Sequence, residues 1–215
     1  QEGPVYELRI YKANENRFDH LITRFREYTD RIFSKYDMQS IGYWVPTDGT
    51  VRQKRRIVYI LKHPSRYAAY SNWIHFTNDR EWQRVLEMPT FKGLLAEKPT
   101  SLFMNETEYS NQFGKGFNEK AGILELRTYT AREGKLSTLK DRFQNHTTAL
   151  FEKHGMANLA YWNAFDAQEN KTTLIYMIQH KNREQANANW KAFLSDPDWQ
   201  QVSAESTRDG KLLAK

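Results

Sequence analysis

Glutamate, arginine and tyrosine alternate along a short segment near the start of the chain, and the same three residues return in its second half. The residues are Glu7, Arg9 and Tyr11, and then Glu125, Arg127 and Tyr129. Side chains two residues apart in a strand share one face, so each triplet forms a polar face. Buried charges are costly unless they are paired or hydrated. Each face therefore predicts either a structural Glu–Arg network or a polar pocket whose arginines receive an anionic or carbonyl-bearing ligand.

Two histidines occupy equivalent positions at the ends of predicted strands, each just before a helix. They are His63 and His180, and Tyr59 and Tyr176 lie four residues earlier on the same strand faces. A His–Tyr pair near a pocket suits acid–base chemistry or haem ligation. The alternative is a histidine that bonds a helix cap or the backbone. The other histidines have no histidine counterpart, and none shows metal-ligand spacing, so no metal site is predicted.

Composition excludes several classes of protein. The 215 residues contain no cysteine, which excludes disulfide scaffolds, thiolate zinc sites and a cysteine nucleophile. The net charge of +6 is spread among residues of both signs without a recognition motif, so nucleic-acid binding is not predicted. The longest apolar runs are far below the roughly 20 residues of a membrane helix. No glycine-rich phosphate loop or serine-nucleophile motif is present.

The chain is a tandem duplication. Residues 6–44 align with 124–162 without a gap, and the similarity continues downstream after one deletion in a loop that contains proline, aspartate and glycine. We therefore predict a first repeat over residues 1–109, a linker over 110–122, and a second repeat over 123–215 that lacks its last strand.

Within each repeat the hydrophobic period switches between that of a strand and that of a helix. Alternation predicts strands, and a spacing near 3.6 residues predicts helices. In the first repeat the predicted order is strand Tyr6–Lys12, helix Arg17–Tyr36, strands Ile41–Val45 and Arg56–His63, helices from Ser65 and from Asp79, and strand Ser101–Tyr109. This β-α-β-β-α-β order is the ferredoxin-like motif of α+β proteins. Because one such unit leaves a sheet face bare, we expect the two units to form an intramolecular dimeric α/β-barrel.

The helices must cover an apolar face of the sheet, and this requirement predicts which face of the first strand meets them. Leu8 and Leu126 are therefore expected to point toward the helices, and the Glu/Arg/Tyr faces toward the barrel interior. The duplicated aromatic residues are expected to be core rather than a ligand cage.

The repeated residues resemble the NIPSNAP family, within the dimeric α/β-barrel superfamily. The resemblance lies in the opening Tyr6–Tyr11, in Gly42-Tyr43-Trp44 and in the helix that carries Trp73, and it returns in the second repeat. The resemblance implies the barrel fold, but it implies no settled enzymatic activity. We predict small-molecule binding or protein interaction through the barrel, without a cofactor. The alternative is an enzyme, either a cofactor-independent monooxygenase or a haem-binding protein that uses His63 or His180.

The ends of the chain carry two further expectations. Because the sequence begins with Gln1, a processed N-terminus and an exported or periplasmic location are favoured over the cytoplasm. The second repeat reaches Lys215 without a counterpart of strand Ser101–Tyr109, so an edge of Leu124–Tyr129 is expected to be unpaired. Either the native chain continues beyond Lys215 or a neighbouring chain supplies the pairing, so a higher oligomer is one of the expectations.

Overall fold

Each half of the chain folds into helices packed on an antiparallel sheet. The computed structural model describes residues 3–110, 122–165 and 171–214. Its contacts divide the chain into a first unit, Gln1–Met104, and a second unit, Asn105–Lys215. Residues 111–121, which make up nearly all of the predicted linker, lie outside the described residues.

The first unit follows the predicted order of elements. They are β1 Val5–Lys12, α1 Phe18–Arg24, a π-helical turn Phe25–Thr29, α2 Asp30–Ser34, β2 Gln39–Trp44, α3 Val51–Lys54, β3 Arg56–His63, α4 Arg66–Asn78, α5 Arg80–Glu87, a 3-10 turn Pro89–Phe91, and β4 Thr100–Glu106. The strand order β2-β3-β1-β4, antiparallel throughout, is ferredoxin-like. The short helix α3, which the sequence analysis treated as loop, begins at a capping box between Thr50 and Gln53.

The second unit repeats this arrangement. It contains β5 Ile123–Thr130, α6 Leu136–Arg142, a π-helical turn Phe143–Thr147, α7 Thr148–Lys153, β6 Ala157–Ala164, β7 Thr173–His180, α8 Arg183–Ser195 and α9 Pro197–Ser206. Strand β7 lies between β6 and β5 and pairs with both. No other described strand of this unit pairs with β5. The predicted α+β class and the tandem ferredoxin-like units are confirmed.

Side-chain caps begin the helices where the sequence predicts. The Ser65 hydroxyl accepts the Ala68 N–H at 3.0 Å at the start of α4, and the Asp79 carboxylate accepts the Trp82 N–H at 2.8 Å at the start of α5. Helix α9 begins with Pro197 directly after the capping Asp196. These caps fix where α4 and α5 begin, and so fix which of their residues face the sheet.

The prediction of which face of the first strand meets the helices is wrong. Tyr11 belongs to the core between sheet and helices, and Arg9 packs on Trp73 of α4. The Glu/Arg/Tyr faces of both units thus point toward the helices, and Leu8 and Leu126 lie on the opposite faces. The sequence analysis assumed that helices need an apolar sheet face. Here, large aromatic rings supply that apolar area, and the helices themselves contribute polar partners for the charged residues.

Among the described residues, every helix is too short or too polar to cross a bilayer.

Candidate functional site

The Glu7 carboxylate is the centre of a buried polar cluster in the first unit. Its side chain is 1% exposed. One oxygen accepts Arg9 Nη1 at 2.7 Å and the Ser101 hydroxyl at 2.6 Å. The other oxygen accepts the Trp73 indole N–H at 2.6 Å and lies 3.1 Å from His63 Nε2. Four donors from β1, β3, α4 and β4 therefore hold one carboxylate, and the cluster ties the sheet to a helix.

Arg9 links this carboxylate to the aromatic core. Its guanidinium lies 4.3 Å from the centre of a Trp73 ring, and Nη2 donates to the Tyr11 hydroxyl at 3.2 Å. Stacking on an indole face is favourable for a guanidinium that has lost part of its water. The Arg9 side chain is 15% exposed, and its three partners, Glu7, Tyr11 and Trp73, are all protein groups.

Electrostatics keep Glu7 ionised. Burial alone would raise the pKa of Glu7, but the hydrogen bonds from His63 and Ser101 and the positive charge of Arg9 outweigh burial and lower the pKa to about 2. An ionised carboxylate accepts hydrogen bonds only, so His63 must carry a proton on Nε2. His63 Nδ1 is buried and has no hydrogen-bond partner among the described residues.

The second unit repeats the cluster in a more open form. Glu125 accepts Arg127 Nη1 at 2.5 Å and the Trp190 indole N–H at 2.8 Å, and it lies 3.0 Å from His180 Nε2. Burial raises the pKa of Glu125, but these partners lower it to about 2. Its side chain is 29% exposed. In the first unit β4 lies beside β1 and supplies Ser101, and the second unit has no described strand in that place, which explains the exposure.

The four candidate tyrosines lie deeper, in the aromatic cores. Tyr11 and Tyr59 have ring centres 5.5 Å apart, and Tyr129 and Tyr176 have ring centres 5.3 Å apart. Tyr59 and His63 do share a strand face, as predicted. Four residues of strand span about 13 Å, however, so the two side chains join different neighbours. The structure brings each histidine to a glutamate rather than to a tyrosine.

An open pocket of about 440 Å³ lies at the end of the first unit where His63 is placed. Its volume is within the range of small-molecule sites. The lining includes Pro4, Ser34, Met38, Lys62, His63 and Pro64. The pocket thus lies beside the polar cluster, at the point where β1 begins and where α2 and β3 end.

Comparison with known protein families recovers the two repeats of the chain. The family model described as NIPSNAP matches residues 6–111 and again 124–215. The chain belongs to the NIPSNAP family. No curated protein matches the sequence.

Solved structures similar to this NIPSNAP chain fall into two groups. A NIPSNAP family protein from Agrobacterium tumefaciens is 19% identical with a TM-score of 0.44, and the match covers 50% of this chain and 97% of that one. A "putative monooxygenase" from Fusobacterium nucleatum is 11% identical with a TM-score of 0.59, covering 99% and 88% of the two chains. Another from Lactobacillus acidophilus is 11% identical with a TM-score of 0.57, covering 100% and 90%. These last two likenesses show a shared fold.

The histidines of this NIPSNAP chain do not fit the predicted alternative of haem ligation. An axial ligand must present a free ring nitrogen to the iron. Nε2 of His63 and of His180 is bound to glutamate, and Nδ1 of each is buried. The described residues also contain no group of three or more histidine, aspartate or glutamate side chains placed to hold a metal ion.

Three members of the two clusters were missed by the sequence analysis. Trp73 and Trp190 were assigned to the core, although their equivalence in the two repeats was a signal that they share a role with the Glu/Arg faces. Ser101 had no such signal, because the second repeat has no counterpart of its strand. Its contact with Glu7 spans 94 residues.

We expect Arg9→Ala to lower the free energy of unfolding by about 3 kcal/mol, because it leaves a buried carboxylate without its counter-charge. Arg127→Ala is the matched control, and its effect should be smaller because the Arg127 side chain is 34% exposed. Urea unfolding followed by tryptophan fluorescence measures both. A change below about 0.5 kcal/mol for Arg9→Ala would show that the pair is structurally neutral.

Proposed function

We propose that this NIPSNAP chain binds a small molecule in the open pocket of the first unit. The observation that carries the proposal is the pocket of about 440 Å³ lined in part by His63, whose ring is held by Glu7. A cavity of this size that combines apolar contacts with a few polar and charged groups is typical of a site that orients a ligand.

The lining indicates the chemistry of the ligand. Pro4, Met38 and Pro64 offer apolar contacts, and Lys62 offers a positive charge. Asp37 also lines the pocket, so its charge is mixed. The lining therefore favours a compact molecule with an apolar body and a polar group that meets Lys62 or Asp37.

The Glu7 cluster supports this site without taking part in chemistry. All four donors around Glu7 are satisfied by its two oxygens. A carboxylate so occupied, with a pKa of about 2, is a poor proton acceptor. Its role is to hold His63 and Arg9 in place, and the binding surface is formed by the pocket.

Filling the pocket tests the proposal. Ser34→Trp places a large ring at the rim without touching the Glu7 cluster, and Glu27→Trp places the same ring on an exposed position about two turns earlier along the helical segment. We expect fragments that bind the wild-type chain, detected by ligand-observed NMR, to lose at least tenfold in affinity in Ser34→Trp and to retain it in Glu27→Trp. Equal binding to both variants would place the ligand elsewhere and refute the proposal.

A further inference from the structure

A second arginine is buried at the start of the π-helical turn in the first unit. Arg24 ends α1 and is 5% exposed. The turn that follows it is wider than an α-helical turn, and the Thr29 hydroxyl donates to the Arg24 carbonyl at 3.1 Å. Single π-helical turns are rare and occur frequently at functional sites.

The Arg24 guanidinium lacks a counter-charge. Within the described part of the chain it makes no ion pair and donates no hydrogen bond, and its Nε is sealed from solvent without a partner. Its contacts are aromatic: its central carbon lies 5.2 Å from the ring centre of Trp82 and 5.8 Å from that of Phe25. Burial lowers the pKa of Arg24, which reflects the cost of keeping this charge away from water.

Two tyrosines of the core face the same charge. Tyr11 and Tyr59 are close enough to affect the pKa of both Arg24 and Arg9. The buried Tyr59 hydroxyl makes no hydrogen bond of normal geometry. Burial raises the pKa of Tyr59 well above its ordinary value, so this hydroxyl stays protonated and can donate. Arg9 is paired with Glu7, whereas the positive charge of Arg24 has no carboxylate partner among the described residues.

The second unit repeats the arrangement. Arg142 is 8% exposed, precedes a π-helical turn with the same threonine hydrogen bond, and lies 5.1 Å from the ring centre of Trp199. Its Nε is also buried without a partner, although Nη1 donates to the Ser206 hydroxyl at 3.3 Å. Among the described residues of the first unit, no hydroxyl accepts a hydrogen bond from Arg24. The Arg24 guanidinium therefore has fewer hydrogen bonds than that of Arg142.

We propose that Arg24 is an anion site that takes the carboxylate group of a small molecule. A guanidinium matches a carboxylate geometrically and can donate two parallel hydrogen bonds to it. The rings of Trp82 and Phe25 shield the guanidinium from water, which strengthens the attraction. This site is separate from the pocket beside His63 and does not depend on the proposed function.

Acetate is the probe for this site, and acetamide is its uncharged control of the same shape. We expect acetate at about ten times its dissociation constant to raise the Tm of the wild-type chain by about 4 °C. Acetamide should leave the Tm unchanged. Arg24→Met keeps the length of the side chain and should abolish the acetate shift, whereas Arg26→Met removes an exposed arginine two residues away and should retain it.

A second measurement uses the wild-type chain, so its result does not depend on whether a variant folds. In ¹⁵N-labelled protein, acetate should move the Nε–Hε resonance of Arg24 and leave that of Arg26 in place. An acetate shift of Tm that survives in Arg24→Met would overturn the proposal, as would an unmoved Arg24 resonance at saturating acetate. Loss of affinity in Ser34→Trp has no bearing on this site, so the two proposals fail separately.

Discussion

Replacing Glu7 with alanine is expected to lower the free energy of unfolding by about 3–5 kcal/mol, which is the largest effect of a single substitution that we expect in this chain. The change removes the shared acceptor of four donors and leaves the buried Arg9 without its counter-charge. A buried donor that loses its partner is destabilising because it has also lost its water. Urea unfolding followed by tryptophan fluorescence, in which Trp73 is a direct reporter, measures the change.

The duplication provides a matched control for this prediction. Glu125→Ala removes the same residue from the second unit, where the carboxylate is 29% exposed and water can replace the lost partner. We expect its cost to be roughly 1–2 kcal/mol. The double variant Glu7→Ala/Arg9→Ala should cost less than the sum of its single variants, because removing both charges leaves no uncompensated one. If Glu7→Ala and Glu125→Ala lowered the free energy of unfolding equally, burial would not determine how much the cluster contributes to stability.

The topology was predictable because its signals are local and occur twice. The alternation in β1, the helical spacing that follows it and the caps at Ser65 and Asp79 each depend on a few neighbouring residues. A chance pattern in one repeat would not return in the other at the matching place. The fold could therefore be derived from one sequence.

Which face of β1 meets the helices was not predictable in the same way. Alternation separates two faces of a strand but does not say which face meets the helices. That choice depends on Trp73, which lies 66 residues from Glu7 and offers an indole N–H to a carboxylate that would otherwise be too costly to bury. The π-helical turn after Arg24 was hidden for a related reason, since one widened turn barely disturbs a helical hydrophobic pattern. The face of β1 thus depends on contacts between distant segments, and these contacts build the Glu7 cluster.

Acid is expected to destabilise the chain through Glu7. The pKa of this carboxyl is about 2 in the folded state and about 4.5 without its partners, so the unfolded chain takes up a proton first as the pH falls. The stabilisation is therefore complete above pH 4.5 and disappears as the pH falls to about 2. A difference of about 2.5 pKa units corresponds to roughly 3 kcal/mol. Measured by urea unfolding at successive pH values, Glu7→Gln should flatten this part of the profile. Glu27→Gln, which removes an exposed carboxylate, should leave the wild-type slope intact. If the Glu7→Gln profile keeps that slope, the acid sensitivity comes from other carboxylates, and Glu7 is not the strongly stabilised anion that its four donors indicate.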